Sequence, residues 1–138
     1  MDMLTTNISW IAVLVGAVVS FMAGWLWYSP ILFGPKWAEG VGVEMGRASE
    51  MPVSAMVFQG VGLLLMSWFI GALSAENLTA VAVLGTISFV ALAYSGGLFA
   101  KKSAYARFVD AGYWIISLIV MVIVQSLLGG GVAVPVAS

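Results

Sequence analysis

The chain has no cysteine and no histidine. The first absence excludes disulfides, thiolate metal sites and thiol nucleophiles. The second removes the commonest general base and the commonest transition-metal ligand. Charge is scarce too: 8% of the residues are Asp, Glu, Lys or Arg, and the formal net charge is -1. Such a balance offers no basic surface to a nucleic acid, and no nucleic-acid partner is expected. The serines have no evident base beside them, and no span carries paired carboxylates on one face. No catalytic residue, cofactor site or metal site is therefore expected, and the chain does not read as an enzyme.

What is present is apolar. Hydrophobic residues fill 62% of the 138 positions, with a mean hydropathy of +1.10. A soluble domain of this size needs far more charge to cover its surface. The apolar residues fall into four blocks, at about 8–28, 52–73, 78–100 and 108–128. Each block supplies the roughly 20 helical residues that cross the hydrocarbon of a bilayer. Backbone groups in lipid must be satisfied within the segment, which selects helices over open strands. Runs such as 118–124 do not alternate as a membrane β-barrel strand would. The expectation is a single four-span domain over 1–138, an all-α integral membrane four-helix bundle. The leader MDMLTTN has an acid and no base, and no small-x-small pair follows the first apolar run. The first span therefore reads as a helix of the bundle rather than a signal peptide.

Charge orients the spans. Lys36 and Arg47 lie between spans one and two, and Lys101, Lys102 and Arg107 between spans three and four. All 5 basic residues thus fall on one side. Positive residues mark the cytoplasmic face, so both termini are expected outside and both basic loops inside the cell, in the cell (inner) membrane.

The first span ends in WLWYSPILFGPKW. Proline at 30 lacks an N–H and disfavours the α region at Ser29, so Ser29-Pro30 reads as a helix stop. Gly34-Pro35 marks a second turn. Trp25, Trp27, Tyr28 and Trp37 suit an aromatic belt, with Lys36 reaching to the headgroups.

Trp27-Tyr28-Ser29-Pro30, followed by Phe33-Gly34, Lys36 and Trp37, resembles the signature of an uncharacterised bacterial membrane family, domain of unknown function 1761. Gly96-Gly97-Leu98-Phe99, a short basic loop, and then Ala111-Gly112-Tyr113 look like the C-terminal half of that family. The resemblance covers essentially the whole chain. It implies a small four-helix membrane protein and no particular activity.

An internal echo runs alongside. Tyr28-Ser29-x-x-Leu32-Phe33 recurs as Tyr94-Ser95-x-x-Leu98-Phe99, with Lys36 and Lys102 at the same spacing. A true repeat would make the bundle two pseudo-repeated helical hairpins. Coincidence in apolar sequence explains the echo as well, and both readings stay open.

Ala12, Gly16, Ser20 and Gly24, spaced by four, form one small-residue ridge on the first helix, suited to close helix packing in lipid. Gln59 and Gln125 are embedded amides that need partners; they read as interhelical hydrogen-bonding residues toward opposite membrane faces, with a polar pocket or pore lining as the sharper alternative. Asp110 stands where the last block begins, beside the basic run. It reads as a helix N-terminal acid stabilised by the helix dipole and the neighbouring bases, with a cation or proton station as the sharper alternative. The reading that asks least of these residues is a structural, assembly or interaction component of the membrane. Its partners would be the lipid bilayer and another copy or another membrane protein. The alternative is an oligomeric channel or transporter for a small solute.

Overall fold

The computed structural model describes residues 2–43 and 52–129, and Glu44, Arg47 and Glu50 of the first basic loop lie outside them. A short 3-10 turn, Asp2–Leu4, precedes five α-helices: α1 Trp10–Trp27, α2 Gly34–Val41, α3 Val53–Ala75, α4 Thr79–Phe99 and α5 Ala104–Leu128. All regular structure among the described residues is helical, as expected. Four helices, α1, α3, α4 and α5, are long and apolar enough to cross a membrane. The fifth, α2, is an 8-residue helix that the hydropathy pattern does not announce.

Local chemistry sets the ends. Ser9 caps α1 by accepting from the Ala12 N–H at 3.2 Å. Ser103 caps α5 by accepting from the Ala106 N–H at 3.0 Å. This cap starts the last helix at Ala104 rather than at the expected 108, because serine is a strong N-cap even when a basic turn follows it. The α3–α4 and α4–α5 turns share one device. Asn77 and Lys101 adopt left-handed conformations, with φ of 60° and 62°. The next N–H then reaches back to the helix, Leu78 to the Leu73 carbonyl at 2.7 Å and Lys102 to that of Gly97 at 3.0 Å. This closes the orphan carbonyls and turns the chain sharply.

The two turns make adjacent helices antiparallel. α1 packs on α3 and α5, α4 packs on α5 and α3, and α2 lies against α5. Leu63, Ile70, Ala82, Leu118 and Met121 form the main buried cluster. A second cluster, Ile8, Val13 and Ala72, lies toward the other end under Trp68. Trp68 packs at a tilt against Trp10 and donates its indole N–H to the Leu4 carbonyl at 2.8 Å, which ties the N-terminal turn to α3. The outward faces remain apolar: Phe58 is 76% exposed, Leu92 73% and Leu127 76%. Contiguous apolar surface of this kind is unfavourable in water and becomes the lipid contact in a bilayer.

Candidate functional site

The Ser29-Pro30 stop turns the chain back on itself. α1 ends at Trp27 with Tyr28 as its C-cap. The Phe33 N–H then bonds the Trp27 carbonyl at 3.1 Å, and the Gly34 N–H bonds that of Ser29 at 3.1 Å. Pro35 sits in the first turn of α2, where its missing N–H leaves no intrahelical bond unmade. α2 then docks on the start of α5. The Ser103 N–H donates to the Gly40 carbonyl at 2.9 Å, and a Cβ on Gly40 would collide with the side chain of Ser103. That docking carries Trp37 over Asp110.

Three donors from three segments converge on this one carboxylate. The Tyr28 hydroxyl donates to Asp110 Oδ1 at 2.5 Å. Trp37 Nε1 donates to the same oxygen at 2.9 Å. Lys102 Nζ pairs with Oδ2 at 3.1 Å. A carboxylate is suited to this junction because its two oxygens offer about four acceptor positions. Burial, followed by the bond to Asp110 and its charge, raises the Tyr28 phenol above its ordinary pKa, so it remains a protonated donor.

Aromatic packing closes the surroundings. Tyr28 meets Trp37 and Tyr113 edge-on, at centroid distances of 5.0 and 5.7 Å. Trp27 packs on Phe33 at 4.7 Å and donates its indole N–H to the Val109 carbonyl at 2.9 Å. Gly112 gives the Trp27 indole room, since a Cβ there would lie 3.0 Å from the ring. Tyr113, 1% exposed, donates to the Ser20 carbonyl at 2.8 Å and accepts from Gln59 Nε2 at 3.4 Å. Gly24 faces its ring directly.

The structure therefore unites Trp27, Tyr28, Phe33 and Trp37 with Asp110, Gly112 and Tyr113. Ser29, Pro30 and Gly34 shape the turn that brings them together. Lys36 lies apart, with its ammonium 5.0 Å from the Tyr105 ring centroid. The second motif divides. Tyr94 packs against Phe108 and the Arg107 guanidinium, and Gly97 lies under the Arg107 stem. Ser95, Gly96 and Phe99 take no part in the Asp110 cluster, and Phe99 is 87% exposed. The two copies of the echo differ in backbone: Tyr28 ends α1, whereas Tyr94 lies inside α4. Both nonetheless lie at the end of the bundle where α5 begins.

The ridge on α1 faces inward. Ala12, Gly16 and Ser20 are buried. A Cβ on Gly16 would lie 2.7 Å from Ser67 Oγ and 3.5 Å from Met121 Cγ. Gln59 and Gln125 stand at opposite ends, Gln59 beside Tyr113 and Gln125 beside Gly71 and Val13.

Asp110 departs from the expected first-turn acid. α5 begins at Ala104, so Asp110 lies well past the first turn, beyond the reach of the helix dipole. Its stabilisation comes from the donors of Tyr28, Trp37 and Lys102. The neighbouring basic run does supply the ion partner, Lys102, whereas the sequence pattern did not announce the Trp27–Val109 bond or α2 itself. The available signals were Ser103 as an N-cap and the Gly-Pro start of a short amphipathic stretch. Among the described residues no cluster of three His, Cys, Asp or Glu side chains could hold a metal.

The family model described as Protein of unknown function (DUF1761) matches residues 11–126. The chain belongs to this family. The match runs from the first turn of α1 almost to the end of α5, so both halves of the Asp110 cluster lie within the DUF1761 region. Comparison with curated proteins and with solved structures gives no match.

Proposed function

We propose that this DUF1761 membrane protein is an interaction or assembly component rather than an enzyme. It would present a rigid interfacial end to the bilayer and to a second copy or another membrane protein. The observation that carries this reading is the closure of the motif on itself. Tyr28, Trp37 and Lys102 all engage Asp110, which fastens α1, α2 and the α4–α5 turn to α5. A polar cluster whose donors converge on one internal carboxylate suits holding a shape better than transforming a substrate. A second reading, a path for a small solute, is favoured by one feature. The Ser20 and Ser117 hydroxyls are buried in the bundle without a hydrogen-bond partner among the described residues.

Proteoliposomes separate the two. Vesicles carrying the protein should hold a proton gradient and shrink osmotically in small-solute media just as protein-free vesicles do. Faster dissipation in the parent, abolished by Gln59→Leu, would replace the assembly reading with the solute path.

The same proposal places the Asp110 end at the cytoplasmic face of the cell inner membrane, with both termini outside. The chain has no native cysteine, so single probes are clean. In intact cells Glu76→Cys should react with an impermeant thiol reagent and Ala100→Cys should not. The opposite pattern would overturn the orientation.

A further inference from the structure

We propose that Arg107, in the groove between the ends of α4 and α5, binds the phosphate of an anionic membrane lipid. The Asp110 charge is met by Lys102, whereas Arg107 has no carboxylate partner among the described residues. Its side chain is nevertheless held in place. One terminal nitrogen donates to the Lys102 carbonyl at 2.5 Å. The guanidinium carbon stands 5.3 Å from the Tyr94 ring centroid. The stem crosses α4 where Gly97 leaves space, since a Cβ there would come within 3.0 Å of Arg107 Cγ. Its Nε is buried and has no acceptor among the described residues. With Nε enclosed, phosphate would meet the terminal N–H groups of this positioned guanidinium, a geometry suited to charge-assisted hydrogen bonds.

The surroundings favour a lipid as the source of that phosphate. Arg107 lines a small notch with Tyr94, Ala111, Trp114 and Asp110, whose charge is met by Lys102. Phe108, packed on Tyr94 and 66% exposed, offers an apolar surface where a chain would pack. Lys101, exposed in the α4–α5 turn, adds a second positive charge at this end of the bundle. Basic pockets between spanning helices at this depth bind anionic headgroups. Neither the assembly reading nor the solute path is required for this site.

Native mass spectrometry of the full chain released from neutral detergent tests the site. Phosphatidylglycerol, phosphatidylcholine of the same chains and inorganic phosphate serve as separate probes. The parent should retain phosphatidylglycerol about tenfold more strongly than phosphatidylcholine, and inorganic phosphate should not displace it. Arg107→Gln should bring the two lipids to parity. Arg107→Lys, which keeps the charge but loses the planar fork, should lose several-fold of the preference. The lysine variant decides the matter if the glutamine variant does not fold. Equal retention of both lipids by the parent, or an unchanged preference in the variants, would overturn the site. Displacement by inorganic phosphate would overturn the lipid as its ligand.

Discussion

Asp110→Ala should be the most destabilising single change at the interfacial end, costing about 3 kcal/mol of unfolding free energy. The substitution strands three donors at once: the Tyr28 hydroxyl, the Trp37 indole N–H and the Lys102 ammonium. Side-chain exposures of 23% for Asp110 and 31% for Lys102 limit the ion pair itself to a modest share. Most of the loss comes from the two aromatic donors, which sit half-buried in a packed aromatic surround. Asp110→Asn keeps one carbonyl oxygen for Tyr28 and Trp37 but turns an amide toward Lys102, so about half the loss is expected. Tyr28→Phe should cost about 1.5 kcal/mol, typical of a hydrogen bond to a charged acceptor. The Asp110→Ala, Tyr28→Phe pair should cost clearly less than the sum, because both remove the same bond. Denaturant unfolding in detergent, followed by tryptophan fluorescence, reads all four. An alanine variant as stable as the parent would mean that the cluster does not hold the helices together.

Gly24→Ala should also destabilise, against the direction that helix propensity sets. Alanine favours a helix over glycine by about 1 kcal/mol. At this position, however, the new methyl would lie 2.7 to 2.9 Å from the hydroxyl, Cζ and Cε1 of Tyr113. That ring is buried between helices and anchored by its bond to the Ser20 carbonyl, so it cannot swing away cheaply. A net loss of about 2 kcal/mol is expected, in the range of overpacked cores, and Gly24→Val should lose more. Gly62→Ala is the matched control on α3, because nothing lies within 4 Å of the Cβ it would gain. It should be neutral or slightly stabilising. Thermal melts of the two alanine variants should therefore move in opposite directions. If they move together, α1 and α5 are not as close as the Gly24–Tyr113 contact requires.

The sequence by itself determined the number of spans, their approximate lengths and the all-helical character. Those follow from the thickness of hydrocarbon and the need to satisfy every backbone group within it. It also determined the stop after the first helix, since Ser29-Pro30 acts through local backbone geometry, and the ridge from Ala12 to Gly24, whose regular spacing marks one face. The tertiary structure alone decided what the conspicuous residues do. Tyr28 and Asp110 are 82 positions apart, and Trp37 and Asp110 are 73 apart. Pairing at such separations depends on how each helix is rotated about its axis. A lipid-embedded helix is apolar all round, so its side-chain pattern says little about which face turns inward. The same gap explains why Asp110 read as a first-turn acid. Its contacts depend on a cap at Ser103 and on α2 folding back over α5, and neither is visible in hydropathy.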